Sequence, residues 1–175
     1  MSDEDAFTAM RAALELGCNC WNGGELYGSQ HANSLHLLNR YYARYPEDAE
    51  NVVVNIKGAV NFKNFQPDGR PKYVRESVNG CLKALGDVGR IDIFECARVD
   101  PDTPLETTLK TLEEFVKAGK IGGIALSEVS AATIRRAAST TKIVAVEVEV
   151  SLWATDIFRN GVAAACAEHD IQIHA

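Results

Sequence analysis

Apolar positions along the chain alternate between helical and strand periods. Phe7, Met10 and Leu14 share one helical face, with Asp3 or Asp5 placed to cap the helix and Gly17 to end it. A short strand, CNCW, follows, and then ANSLHLLNRYYARY, where Leu35, Leu38, Tyr41 and Tyr42 mark a second helix closed before Pro46. The Val-rich run NVVVNIK reads as a strand. Tyr73, Val78, Cys81, Leu82 and Leu85 predict a third helix before the strand RIDIFECA. Leu105, Leu109, Leu112 and Val116 predict a fourth, capped by Thr103 and closed by Gly119, and the strand IGGIAL follows. Ile134, Ala137 and Ala138 belong to a short fifth helix, IVAVEVEV to a strand, DIFRNGVAAACAEH to a sixth helix, and IQIH to a last strand. About six strands and six helices thus alternate through short connections, the pattern of a parallel sheet covered by its crossover helices.

An open doubly wound sheet and a closed barrel both produce this alternation. Gly23 and Gly24 do not form the G-x-G-x-x-G turn that a dinucleotide-binding open sheet would carry after its first strand. Polar residues instead gather at the C-terminal ends of the strands: Asn22, Glu25 and Tyr27, then Lys57, then Arg98 and Asp100, then Ser127 and Glu128, with Glu147 and Glu149 in the fifth. A barrel builds its active site at those ends.

Composition narrows the function classes. The 175 residues are 46% hydrophobic and 24% charged, which suits one globular domain. Lys and Arg number 18 against 24 Asp and Glu, and a formal net charge of -6 disfavours nucleic acid as a partner. No run approaches the ~20 apolar residues that span a bilayer, and the start MSDEDAFTAM lacks the basic and apolar regions of a signal peptide. The expectation is a cytoplasmic protein without a membrane partner. The five cysteines read as buried thiols of a reducing compartment, Cys18 and Cys20 included, and the four histidines are scattered away from any metal-ligand spacing.

In order and spacing, WNGGELYG, Lys57 closing VVVNIK, IDIFECARVDP, GKIGGIALSEVS and VAVEVEVSLW resemble the aldo-keto reductases, in particular their fungal pyridoxal reductase branch. The resemblance covers nearly the whole chain. It implies a (β/α)8 barrel of the aldo-keto reductase type, here incomplete, that binds NADPH and reduces a small-molecule aldehyde or ketone such as pyridoxal. Tyr27 is then the proton donor. A phenol with a pKa of about 10 is a poor acid near neutrality, and a neighbouring ammonium, Lys57, favours its ionised form. The family pattern has an aspartate where Asn22 stands, so Asn22 offers Lys57 a hydrogen bond and no charge; a histidine that orients the carbonyl in many members is Ala97 here. Ser127, Glu128 and Glu147 fall where the family holds the nicotinamide carboxamide, although the wider family often has Asn and Gln at the last two positions.

Read without the resemblance, Ser127 is also an N-cap for the fifth helix, and Arg98 and Asp100 form a loop ion pair. The chain begins at a helix and stops where the family continues toward its last strands. Two sheet edges would then stay open, which leaves two further readings, a catalytically silent fragment or a subunit completed by another chain through those edges.

Overall fold

The computed structural model describes residues 2–175. Six strands, β1 (Cys20–Gly24), β2 (Val53–Gly58), β3 (Ile91–Cys96), β4 (Ile121–Ser127), β5 (Ala145–Glu147) and β6 (Gln172–His174), pair side by side in chain order. Every pairing is parallel. Helix α1 (Asp3–Glu15) precedes β1, and α2 (Ser34–Arg44), α3 (Pro71–Leu85), α4 (Leu105–Lys117), α5 (Ala131–Ala138) and α6 (Val162–Glu168) each return the chain to the start of the next strand. This is the succession of a (β/α)8 barrel carried through six strands. Among the described residues, β1 and β6 have no further strand beside them, so the barrel is incomplete as expected.

Strand side chains alternate between the two faces, and the faces differ in chemistry. Val54, Ile56, Phe94, Ile124, Leu126 and Val146 are buried against the helices, where Leu38, Val78, Leu109, Leu112 and Ile134 meet them. The other face carries Asn22, Asn55, Lys57, Glu95, Ser127 and Glu147. Most of the apolar core therefore lies between sheet and helices, while the inner face carries Ile91 and Ile121 toward the strand starts and polar groups toward the C-terminal ends.

The structure moves several expected boundaries. Ser2, and neither Asp3 nor Asp5, caps α1; Asp5 answers as the reciprocal partner of a capping box. Thr103 does not cap α4, because its hydroxyl is spent on Asp100 Oδ2 at 2.7 Å. Ser130 caps α5 by accepting from Thr133 N at 3.2 Å, which removes the capping role from Ser127. The expected sixth helix is split by Gly161, whose φ of 87° is left-handed, into a 3-10 turn at Asp156–Phe158 and α6. Cys18 and Cys20 are exposed thiols, not buried ones, because β1 is an edge strand and Cys18 lies before it. Among the described residues, no helix is long and apolar enough to cross a membrane.

Two antiparallel hairpins stand beyond the strand ends, Gly28–Ser29 with Ala32–Asn33 and Val60–Asn61 with Gln66–Pro67. The first fixes the segment that carries Tyr27. Gly28 has φ of 127°, and a Cβ there would lie 2.4 Å from the Ala32 carbonyl oxygen, so only glycine closes this turn.

Candidate active site

A flat sheet would hold β1 and β5 about 19 Å apart, four spacings of roughly 4.8 Å. Yet Asn22 Nδ2 on β1 donates a hydrogen bond to Glu147 Oε2 on β5. Two side chains cannot bridge a flat span of that size, so the sheet is curled into a trough whose mouth lies at the strand C-termini. Glu147 closes the trough from the far side. Its other oxygen, Oε1, accepts from Lys57 Nζ.

Lys57 stands near the end of β2, its side chain only 12% exposed. A second carboxylate faces it: Glu95 Oε1 on β3 lies 3.2 Å from Nζ. Lys57 and Glu95 are Cα partners across the β2–β3 ladder, which puts their side chains on the same face. Glu95 Oε2 accepts from Asn55 Nδ2 at 2.7 Å, and both residues are wholly buried. Burial works against the charged form of Lys57, but the Glu147 hydrogen bond and the two carboxylate charges outweigh it and hold the ammonium above the ordinary lysine pKa. Burial pushes the Glu95 carboxyl above its ordinary value, against the pull of Asn55 and of the Lys57 charge.

Tyr27 follows β1 and is 46% exposed. Its place relative to Lys57 is set by Gly24. Gly24 is the Cα partner of Lys57, and a Cβ on it would meet Lys57 Cβ and Tyr27 Cγ, each at 3.4 Å. Lysine stem and phenol ring therefore border one glycine. Below them lies a buried bracket. Ser77 on α3 donates its hydroxyl proton to Glu25 Oε1 at 2.8 Å and accepts from Ala59 N at 3.0 Å. Ala59, two residues after Lys57, holds a left-handed φ of 62°, and Glu25 N donates to the Lys57 carbonyl at 3.0 Å. The bracket ties the Tyr27 segment to the end of β2.

Ser127 is buried at the end of β4, and its hydroxyl oxygen accepts from Arg98 Nη1 at 3.1 Å. Arg98 is thus turned toward Ser127 and its own neighbour's carbonyl, and the expected loop pair with Asp100 is replaced. Asp100 instead accepts from Gly69 N, Asp102 N and Thr103. Glu128 holds a left-handed φ of 51°, its N donates to the Glu147 carbonyl at 2.9 Å, and its carboxylate accepts from Glu149 N at 2.9 Å. The trough therefore brings Asn22, Lys57 and Glu147 into direct contact, sets Tyr27 beside Lys57, and places Ser127 one strand from Glu147, its Cα partner. Glu128 points its carboxylate at backbone, away from that set. Asn22 spends its amide on Glu147, so the hydrogen bond expected from Asn22 to Lys57 is replaced by one carboxylate shared between them.

Residues 1–175 match the model of the Aldo/keto reductase family over their whole length. The chain belongs to the aldo-keto reductase family. Among its curated relatives in the family is the "probable pyridoxal reductase 2" of Schizosaccharomyces pombe, 42% identical over 173 residues that make up 98% of this chain and 52% of the relative. An uncharacterized oxidoreductase of the same yeast is 39% identical over 172 residues, 98% of this chain and 51% of its own length. The chain spans about half the length of the curated relatives it matches. The solved glycerol dehydrogenase of Gluconobacter oxydans superposes with a TM-score of 0.85 over 99% of this chain and 53% of that one, at 22% identity, which shows the shared fold.

Two parts of the aldo-keto reductase trough escape a reading of the sequence. Glu95 sits inside the apolar run IDIFEC, where one carboxylate among strand residues gives no sign of which face it takes; its pairing register with Lys57 decides that. Ser77 reads as one polar residue of a helix, and only the packing of α3 under β2 shows that it holds Ala59 and Glu25.

Proposed function

We propose that the chain serves the reduction of an aldehyde or ketone to an alcohol with NADPH as reductant, pyridoxal being the substrate type that its similarity to a pyridoxal reductase supports. The observation that carries this reading is that Lys57 Cβ and Tyr27 Cγ both border the Cβ position of Gly24, so that the two side chains start from one point at the mouth of a curled parallel sheet. A carbonyl oxygen gains negative charge as its carbon is reduced, and the group that meets it must give a proton at that moment. Tyr27 Oη is the donor, half-exposed and therefore open to a substrate. The Lys57 ammonium beside it favours the phenolate left after transfer, and its own charge is secured by Glu95 and Glu147.

The residues present fit a nicotinamide carboxamide. The Ser127 hydroxyl oxygen is an acceptor for Arg98, which leaves its proton to donate to an amide oxygen, and the part-exposed Glu147 carboxylate accepts amide protons. Glu128 supports that pair through backbone: its N–H fixes the Glu147 carbonyl. Bound reduced nicotinamide supplies two electrons to the carbonyl carbon as a hydride equivalent.

Tyr27→Phe tests the assignment. Turnover of pyridoxal with NADPH is expected to fall on the order of a hundredfold or more, the weight of a general acid, while cofactor affinity read by nicotinamide fluorescence stays within about twofold. Undiminished turnover in this variant would remove Tyr27 as the donor.

A further inference from the structure

Lys57 meets two carboxylates that differ in every respect that matters to function. Glu147 is one quarter exposed, stands four strands from Asn22, and spans the open mouth to reach both Asn22 and Lys57. Any ligand that brings amide or hydroxyl protons into the trough competes for it. Glu95 is wholly buried, on the strand next to Lys57 and in register with it. Its second oxygen is held by Asn55, which is itself wholly buried and lies two residues before Lys57 on the same strand. Asn55, Glu95 and Lys57 thus form a buried set within one strand pair, with no exposed member except the tip of the lysine.

We infer that Glu95 is the fixed counter-charge of Lys57, the positioning residue that keeps its amine charged and aimed at the mouth while Glu147 is released to a ligand. Glu95 Oε2 accepts from the Asn55 amide, and Oε1, without a hydrogen-bond partner of its own, lies 3.2 Å from the ammonium as a charge contact. The burial that makes a lone carboxylate costly is offset here by the ammonium, and the dependence is mutual. Charge arithmetic gives the division of labour. Lys57 with both carboxylates sums to minus one, and with Glu95 alone to zero, so withdrawal of Glu147 leaves the ammonium neutralised and in place. The charge that a carboxylate at the Asn22 position would give is supplied from β3 instead.

The assignment of the ion pair stands on geometry alone, and only its effect on carbonyl reduction rests on the function proposed above. The titratable groups facing the Lys57 amine are Glu95 from β3, Glu147 from β5 and Tyr27 from the segment after β1; Arg98 and His174 lie one residue further out, beside Ser127 and opposite Glu147. The test is a pH titration of 13Cε-labelled lysine by NMR, with the Lys57 signal identified by its loss in Lys57→Met. Glu95→Gln is expected to lower the proton affinity of Lys57 at least about tenfold even though Glu147 still accepts from its amine. An unchanged titration in Glu95→Gln would overturn the inference. Should Glu95→Gln fail to fold, the 13Cδ signal of Glu95 decides the matter in the parent chain and in Lys57→Met. Near pH 7 it should be a carboxylate in the parent and a neutral acid in the variant; the same state in both refutes the pairing. A parent chain that reduces no carbonyl would count against the proposed function and leave these readings as they are.

Discussion

Glu25 is a buried carboxylate with no cation beside it in its bracket. It is held by the Ser77 hydroxyl at 2.8 Å, with the Cys81 thiol at 3.9 Å from its other oxygen. Burial raises its pKa above the ordinary carboxylate value, and the hydrogen bonds only partly restore it. The unfolded chain therefore gives up this proton at lower pH than the folded one. Stability from this group is present below the unfolded value of about 4.3 and is lost as pH rises through the raised folded value. Glu25→Gln should remove that loss, so that its unfolding midpoint in urea falls less than the parent's between pH 5 and pH 7.5; equal slopes would contradict the burial account. Ser77→Ala should cost about 1–3 kcal/mol, because it leaves the Glu25 carboxylate and the Ala59 N–H without their partner while Ala59 stays in a left-handed conformation. The cost is read from the same urea midpoints. At this scale Tyr27 and Lys57 are legible in the sequence because their order and spacing resemble a family pattern. Glu95 and Ser77 are not, since a Glu in a strand and a Ser in a helix acquire their roles only from register and packing.

Among the elements, the apolar periods locate the six strands of the main sheet and the six α-helices but neither two-residue hairpin, because burying one stripe of each helix against one face of the sheet is the physical cause of both the period and the fold. Ends are less legible. A helix start is set by whichever side chain reaches the free N–H groups, and SEVSAAT offers two serines for one helix. The structure chooses Ser130. Ser130→Ala should therefore destabilise the protein by about 1 kcal/mol, and Ser127→Ala should not disturb the start of α5; helix content and urea midpoints of the two variants distinguish them, and the reverse order would restore Ser127 as the cap. In IVAVEVEV the alternation continues past the strand, because Val148 keeps a single bond to the His174 carbonyl at 3.0 Å after the β5 ladder has ended at Glu147.

Across the whole molecule, the decisive feature is the curl. One sheet with an apolar outer face and a polar inner face has no reason to stay flat once its helices pack together, and the Asn22–Glu147 hydrogen bond shows that its first and fifth strands meet across the mouth. That curl gathers a phenol, an ammonium and two carboxylates from four separate strand ends. The alternation of elements admits both an open sheet and a barrel; the polar residues at the strand ends favour the barrel, and the cross-trough contacts are its physical expression. A double-mutant cycle on NADPH-dependent pyridoxal reduction, with Tyr27→Phe, Lys57→Met and both together, measures whether phenol and amine act as one unit. The account predicts that the double variant is within about threefold of the slower single variant, because a tuner has nothing to act on once its acid is gone. Losses that multiply, or single variants as active as the parent, would contradict it.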